Sequence, residues 1–274
     1  MKVTPLTNTP FQKILTTFLK AFENYYVPMP TDKAYYEQRW AAAKVDFGLS
    51  YGMFDGEKLV GFIIHAVDQR FGVRTAFNTG TGVLPEYRGQ RIVNAIYQFA
   101  IDDLRKKGIE KSTLEVITKN ERAIRAYQGV GFEISKEYKC YAGSIQSEQE
   151  APVKLRKWSL HDYDWDKLPR QQHYSWDFQQ ETLLNANYDL YEVLHNDQPE
   201  SYFISHPEKQ YLAQFDVFIR GDEPWKRLFA AIGQVTEAVR IINVDTRLTD
   251  KIEWIQNLGL EITVDQYEME LGFA

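Results

Sequence analysis

The sequence predicts a mixed α/β protein with two domains, each a twisted mixed β-sheet flanked by helices. Its 274 residues exceed the roughly 100–200 residues of a usual single domain. In the first half, predicted helices precede a strand meander, and helix, strand, helix and strand then follow, an order typical of a mixed sheet. A short pattern from the end of this half returns near the C-terminus, which favours an internal duplication.

The first half begins with two predicted helices. Thr9 is a suitable N-cap, with Pro10 at the first helical position. Four apolar residues then recur at helical spacing: Phe11, Ile14, Phe18 and Phe22. Asp32 opens the second helix, which is expected to run through Trp40.

A strand meander and a second helical region follow. Strands at 47–54 and 58–67 flank the turn pair Asp55-Gly56. The remaining elements are expected as a strand at 74–84, a long helix after Gly89, a strand at 112–117, a helix at 121–128 and strands from 132 to 141. The long helix has a buried face marked by Ile92, Ile96, Phe99 and Leu104.

A polar stretch separates the two halves. Residues 144–154 are rich in Ser, Gln and Glu, which is typical of a linker. We therefore expect domains at 1–145 and 155–274. The second half has predicted elements of its own: a hairpin at 202–219, a helix at 225–239 and a strand at 240–244.

Composition excludes several functional classes. The net charge is −6 without a dense Lys/Arg run, which argues against nucleic acid as a partner. No segment approaches the roughly 20 apolar residues of a membrane span, so we expect a cytoplasmic protein without a membrane partner. Cys140 is the single cysteine and is expected to be an inert strand residue. His65 has no partners for a metal site, so no metal is expected.

The segment from Gly82 to Ile92 is a strand that runs into a tight loop and opens a helix. Free backbone N–H groups and the helix dipole make such a helix start an anion site. Gly89 permits close approach of the backbone, and Arg88 adds positive charge. A pyrophosphate would suit this loop, and an ordinary strand–helix turn with a surface arginine is the alternative.

A second motif lies one helix and one strand downstream. It consists of Asn120, Ala123, Tyr127, Gly131 and Phe132. Together with the loop, this segment resembles the GNAT acetyltransferase superfamily over residues 45–140. The family's loop has the form Arg-x-x-Gly-x-Gly/Ala, whereas Arg91 and Val93 stand at its two small positions here. We expect Arg91 to adopt helical angles and the loop to bind phosphate still.

The resemblance implies direct transfer of an acetyl group from acetyl-CoA to an amine. It places the cofactor against Val83, Leu84, Pro85, Arg88, Gly89, Gln90, Arg91, Ile92, Val93, Asn120 and Ala123. Tyr127 is implied as the acid that protonates the leaving thiolate, with a packed helix aromatic as the alternative. Glu115 is implied as the base, because some protein-acetylating members carry a matching Leu-Glu-Val strand; a solvent-facing carboxylate is the alternative. Asn120 also suits an N-cap.

The second half lacks these residues. Residues 123–135 and 251–263 share a helix, a glycine turn and a strand. In that alignment Leu248, Ile255 and Asn243 replace Asn120, Tyr127 and Glu115. Asp222 and Glu223 stand before the second long helix, where they would repel phosphates. We therefore expect a degenerate copy that does not bind CoA in the family manner and is left to shape the acceptor site, cover a sheet edge or dimerise.

The sequence thus predicts an acetyl-CoA-dependent N-acetyltransferase. The acceptor is an amine on a small molecule or a protein, and a longer acyl group and a homodimer stay open. The alternative is a non-catalytic GNAT-fold binding or scaffold protein, in which Arg91 and Val93 report a decayed cofactor loop.

Overall fold

The computed structural model describes residues 1–145, 153–206 and 208–273. The chain divides into two compact units. Unit 1 contains Met1–Ser135 and the residues from Tyr267 onward, and unit 2 contains Lys136–Gln266.

Unit 1 contains four helices and five strands up to residue 128. They are β1 (Lys2–Pro5), α1 (Phe11–Ala21), α2 (Lys33–Ala42), β2 (Tyr51–Asp55), β3 (Lys58–Arg70), β4 (Val73–Val83), α3 (Ile92–Lys106), β5 (Lys111–Ile117) and α4 (Glu121–Gln128). Pairing is antiparallel from β1 through β4 and parallel between β4 and β5, so the predicted mixed α/β class is confirmed.

The elements after α4 lead through unit 2 and back to unit 1. They are β6 (Glu133–Ser144), β7 (Lys154–Trp158), α5 (Gln180–Leu183), β8 (Asp189–His195), β9 (Gln198–Ser205), β10 (Leu212–Val217), α6 (Asp222–Val235), β11 (Ala238–Asp245), α7 (Thr249–Asn257) and β12 (Glu261–Gly272). In unit 2, β7 to β10 form an antiparallel sheet, and β11 pairs antiparallel with β6.

Three predicted helices differ from the structure at their ends. The helix expected through Trp40 continues to Ala42, and the helix expected at 225–239 starts at Asp222, so Asp222 and Glu223 lie in its first turn and not before it. Pro10, not Thr9, is the N-cap of α1, because its extended backbone (ψ 135°) lies before the first helical residue. The helix expected at 225–239 ends at Val235, since Thr236 is extended (φ −152°, ψ 138°) and starts the turn into β11. Asp32 caps α2 as expected, with its carboxylate accepting from the backbone N–H groups of Ala34 and Tyr35.

The second part of the last strand, from Tyr267 onward, belongs to unit 1. Met269 is fully buried and packs in the same apolar cluster as Ile96 and Leu114, and the Phe273 N–H donates to the Glu110 carbonyl at 2.8 Å. The structure therefore differs from the expected boundaries 1–145 and 155–274, because a buried strand returns from the far end of the sequence. Most of the expected linker, at 146–152, lies outside the described residues.

Two apolar layers cover the sheet of unit 1. One cluster joins α3 to the sheet and includes Ile92, Ile96, Tyr97, Leu114 and Tyr127. The other joins α1 and α2 to the sheet and includes Phe18, Trp40 and Phe62. The strands β4 and β5 run between these layers. Their parallel pairing ends at Asn78 and Leu114, which leaves the ends of both strands available to a site.

From the sequence we expect neither a membrane-spanning helix nor a metal site. None of the helices in the described part of the chain is long and apolar enough to cross a bilayer. Within residues 1–145, 153–206 and 208–273, no three His, Cys, Asp or Glu side chains come together as a metal site.

Candidate functional site

A cavity of about 640 Å³ lies in unit 1 at the end of β4, beside the starts of α3 and α4. Its volume is within the range of small-molecule sites, about 300–1,000 Å³. Residues 21–26, parts of 81–94 and parts of 120–127 line it. Most of the predicted site residues are in this lining: Val83, Pro85, Arg88, Gly89, Arg91, Ile92, Val93, Asn120, Ala123 and Tyr127. The strand end, the loop and α4 therefore meet at one site.

The first turn of α3 presents backbone donors to this cavity. Arg91 is the N-cap and has no side-chain capping hydrogen bond, while its carbonyl accepts from the Ala95 N–H at 3.1 Å. The N–H groups of Ile92, Val93 and Asn94 precede that first intrahelical bond, so they have no acceptor within the helix. The first turn contains no acidic residue. This helix start can therefore bind an anion.

Arg91 does not adopt the helical angles expected of it. Its backbone is left-handed, with φ 55° and ψ 29°, and such a conformation costs a non-glycine residue about 1–2 kcal/mol. The turn into α3 requires this conformation, which explains why the resembling motif has glycine here. The loop thus has at Arg91 a conformation that glycine would adopt without steric cost.

Arg88 is held by the protein itself. Its guanidinium donates to the Ala21 carbonyl at 2.9 Å and to the Val83 carbonyl at 3.3 Å. Arg88 therefore ties the end of α1 to the end of β4, and part of its donor capacity is used inside the protein. Gly89 follows with φ 83°, a left-handed angle that favours glycine.

Tyr127 projects from α4 into both the core and the cavity. It is 7% exposed, and its ring packs edge to face against Phe132 with the centroids 5.9 Å apart. Burial raises the pKa of Tyr127 to about 12, while hydrogen bonds with Thr81 and Asn78 act in the opposite direction. The hydroxyl therefore keeps its proton at neutral pH and can serve as a proton donor.

Asn120 caps α4 and also lines the cavity. Its side-chain oxygen accepts from the Ala123 N–H at 3.2 Å, so the capping role is realised. A hydrogen bond with Asn120 lowers the pKa of Tyr25, which burial raises overall. Asn120 is therefore placed between the helix start and the segment that follows α1.

Three predicted site residues do not line the cavity: Leu84, Gln90 and Glu115. Leu84 is 3% exposed and packs in the core, and Gln90 is exposed. Glu115 is half-buried between the buried residues Leu114 and Val116, and alternation along β5 turns it to the opposite face. Its role as a base stays a prediction.

The segment after α1 was not predicted as part of the site. Residues 21–26 line the cavity, and the Tyr26 hydroxyl donates to the Lys119 carbonyl at 3.2 Å. Phe22 and Tyr25 stack edge to face at 4.9 Å. Glu23 is the carboxylate of this lining. The aromatic residues Phe22, Tyr25 and Tyr26 indicate a packed segment. Local periodicity does not show that this segment contacts the loop at Lys119, 93 positions along the chain.

Residues 14–132 match the family model described as the acetyltransferase (GNAT) family. This part of the chain carries the sequence pattern of a GNAT acetyltransferase domain. The predicted GNAT membership and acyltransferase class are thereby confirmed at the level of the family. The match includes β4, the loop, α3 and α4, which together form the cavity.

One curated relative is the N-alpha-acetyltransferase 30 of Schizosaccharomyces pombe. It is 27% identical over 84 residues, which are 30% of this chain and 56% of that protein. The match thus spans little more than half the length of that relative.

Solved structures extend the similarity to the whole chain. A tandem GNAT protein from the clavulanic acid biosynthesis pathway has a TM-score of 0.71 and 15% identity, covering 100% of this chain and 98% of that one. A GCN5-related N-acetyltransferase from Anabaena variabilis has a TM-score of 0.66 and 17% identity, covering 100% and 73%. At these identities the likeness shows the fold, and it confirms the predicted tandem GNAT architecture.

Unit 2 has an ion pair at the place of the GNAT cofactor motif. In the repeat, Lys251 of α7 corresponds to Ala123 of α4. Lys251 is 1% exposed, donates to the Phe215 carbonyl at 2.6 Å and lies 3.3 Å from the buried Asp216 carboxylate. The cavity beside it measures about 10 Å³, which is room for no more than a water molecule.

Proposed function

We propose that this GNAT protein transfers an acetyl group from acetyl-CoA to an amine, using unit 1. The observation that carries the proposal is the convergence of the β4 end, the α3 start and Tyr127 on one cavity of about 640 Å³. Acetyl-CoA carries phosphates and a thioester, and the cavity offers the backbone donors at the start of α3 and the Tyr127 hydroxyl as a proton donor. The site therefore fits this cosubstrate.

The cosubstrate supplies an activated acetyl group, and the protein supplies position and protons. In the transfer, the amine nitrogen forms a bond to the acetyl carbon, and the carbon–sulfur bond breaks with its electron pair on sulfur. The sulfur takes the proton of the Tyr127 hydroxyl, and the amine's surplus proton passes to a base, directly or through water. Tyr127 then recovers its proton from solvent when the products leave.

The base in this proposal is Glu115, as expected from the resemblance. Because Glu115 does not line the cavity, it would act on the amine through water. Its half-buried position on β5 is consistent with a carboxylate that receives a proton by such a route. Glu23, which does line the cavity, is the competing candidate that the test must include.

A single set of titrations tests the function. We would titrate acetyl-CoA into the wild-type protein and the Tyr127→Phe variant by calorimetry, and then screen amines for release of free thiol. Binding near micromolar affinity by both proteins, with slow turnover by the variant, is expected. Wild-type protein that fails to bind acetyl-CoA would overturn the enzyme proposal and favour the scaffold alternative.

Matched variants distinguish the two candidate bases, Glu115 and Glu23. Glu115→Gln should lower kcat at neutral pH and leave acetyl-CoA affinity unchanged, whereas Glu121→Gln on the exposed face of α4 is the control. Glu121 is paired with Arg125 at 3.0 Å and does not line the cavity. If Glu23→Gln lowers kcat and Glu115→Gln does not, the base is assigned to Glu23.

A further inference from the structure

A group of polar side chains from β4 and α3 surrounds the hydroxyl of Tyr127. The Asn78 amide donates to the Thr81 hydroxyl and to the Tyr97 hydroxyl, in each case at 2.7 Å. Thr81 lines the cavity together with Tyr127, whereas Asn78 and Tyr97 are buried. We call Asn78, Thr81 and Tyr97 the donor cluster.

A β-bulge in β4 brings two members of the donor cluster together. Asn78 lies opposite His65 of β3, and Gly80 lies opposite Ile64, so the residue between them is an extra one in β4. Residues three apart on a regular strand face opposite sides of the sheet. Because of the bulge, Asn78 and Thr81 are instead in direct contact.

The orientation of the Asn78 amide is fixed by the backbone. The Gly80 N–H donates to the Asn78 side-chain oxygen at 3.0 Å, and a backbone N–H can only donate. This contact distinguishes the oxygen of the amide from its nitrogen. The nitrogen therefore faces the two hydroxyls, and Asn78 is a donor to both of them.

Burial then determines the direction of the remaining hydrogen bonds. The Tyr97 hydroxyl accepts from Asn78, and its own proton needs an acceptor inside the protein because Tyr97 is 1% exposed. The Thr81 hydroxyl is within hydrogen-bonding reach of it. The Thr81 oxygen thus accepts from Asn78 and from Tyr97, which uses both of its lone pairs. Its proton is left for the Tyr127 oxygen, which is also within reach.

We propose that Thr81 is a positioning residue for the acid, because its hydroxyl donates to the Tyr127 oxygen and leaves the Tyr127 proton directed at the cavity. This inference rests on the proposed function, since it concerns the same proton transfer. Asn78 and Tyr97 act through Thr81 by occupying its lone pairs, so that its O–H has one direction.

The same hydrogen bond favours the proton transfer itself. When the Tyr127 proton passes to the departing sulfur, the phenolic oxygen is left with a negative charge. The Thr81 O–H still points at that oxygen, and a hydrogen bond to a charged oxygen is stronger than one to a neutral hydroxyl. Thr81 therefore stabilises the charge that develops during the reaction more than it stabilises the resting acid.

The test compares kcat, KM and acetyl-CoA affinity in matched variants of the full chain. Thr81→Val removes the hydroxyl and keeps the shape, and Thr81→Ser keeps the hydroxyl. Thr75→Val is the control, because Thr75 is buried on the same strand, donates to the Val73 carbonyl at 3.1 Å and lies outside the cavity lining. The acceptor is the amine that wild type acetylates fastest in the amine screen, and release of free thiol gives the rate.

We expect Thr81→Val to lower kcat about tenfold to a hundredfold, which is what a hydrogen bond to a charged group contributes. KM and the calorimetric affinity for acetyl-CoA should equal those of wild type, because the hydroxyl acts on the proton transfer and not on binding. Thr81→Ser should restore most of kcat. Thr75→Val should be as active as wild type.

A double-mutant cycle with Tyr127→Phe distinguishes positioning from a structural role. If Thr81 acts through the Tyr127 hydroxyl, Thr81→Val should not lower kcat further in the Tyr127→Phe background. A structural role would give the same loss in both backgrounds. The cycle also has a readout without turnover, since the shifts in urea midpoint of the two single variants should not add in the double variant.

The outcomes separate this inference from the proposed function. Wild-type protein that binds no acetyl-CoA or acetylates no amine overturns both, and so does a fully active Tyr127→Phe variant. The positioning role alone is overturned if wild type is active and Thr81→Val keeps its kcat, changes only KM, or loses no more than Thr75→Val. An equal loss of kcat in the Tyr127→Phe background overturns it as well. Circular dichroism of each variant checks that the fold is retained.

Discussion

The rings of Tyr97 and Tyr127 meet edge to face, with centroids 6.2 Å apart and planes at 86°. Tyr97 comes from α3 and Tyr127 from α4, so this contact joins the two helices that flank the cavity. The Asn78 amide donates to the Tyr97 hydroxyl at 2.7 Å and also contributes to the environment of Tyr127. The proposed acid is thus held by packing as well as by polar contacts.

Two substitutions of Tyr127 should distinguish the catalytic role of its hydroxyl from the packing role of its ring. Tyr127→Phe keeps the ring contacts and removes the hydroxyl, so we expect near-normal stability with kcat reduced by about 10²–10⁴. Tyr127→Ala removes a buried aromatic ring and should cost about 3–5 kcal/mol of unfolding free energy. Urea denaturation and initial rates distinguish the two, and a fully active Tyr127→Phe variant would exclude Tyr127 as the acid.

Arg91 is a position where glycine should stabilise the fold. Replacing Arg91 by Gly removes the left-handed strain, which is about 1–2 kcal/mol, and part of this gain is offset by greater chain freedom in the unfolded state. We expect a net increase of up to about 1 kcal/mol in unfolding free energy. Gly89→Ala, at φ 83°, is the converse control and should destabilise. A destabilised Arg91→Gly variant would show that the contacts of the arginine side chain stabilise the fold by more than its left-handed backbone destabilises it.

His65 should make the protein sensitive to mild acid. It is fully buried, its Nδ1 donates to the Leu49 carbonyl at 2.7 Å, and burial lowers its pKa to about 4. The unfolded chain gains a proton at about pH 6.5, whereas the folded chain does not until pH 4. Stability is therefore full above pH 6.5 and falls by about 3 kcal/mol as the pH drops through that window.

The measurement is urea denaturation at pH 7 and pH 4.5 for wild type, His65→Phe and His161→Phe. His65→Phe removes the titrating group, so its stability should change less between the two pH values. His161 is exposed and serves as the control. Equal pH dependence in wild type and His65→Phe would assign the acid sensitivity to other groups.

Local sequence signals predicted the elements that carry the site. The Asp32 cap, the Asp55-Gly56 turn and the helix at 121–128 all depend on chemistry within a few residues, and all are present in the structure. The contact of Arg88 with Ala21 joins residues 67 positions apart. Such contacts depend on how elements pack, and no local pattern encodes them. The first strand was missed because Lys2–Pro5 is short and lacks an alternating pattern.

The end of β12 belongs to unit 1 and lies next to β5 in the sheet, although the two strands are far apart in the sequence. Ending the chain after residue 145 would remove Met269 from the core of unit 1 and leave β5 as an exposed strand edge. Exposed apolar edges promote aggregation. We therefore expect the fragment 1–145 to be insoluble or unable to bind acetyl-CoA.

A point variant tests the same strand in the full chain. Met269→Ala should lower the unfolding free energy by about 2–5 kcal/mol, because Met269 is fully buried and the cavity left behind is only partly refilled. Ile262 lies earlier on β12 and is 49% exposed, so Ile262→Ala should change stability by less than about 0.5 kcal/mol. A Met269→Ala variant as stable as wild type, together with a soluble fragment 1–145 that binds acetyl-CoA, would show that the first domain folds without the C-terminal strand.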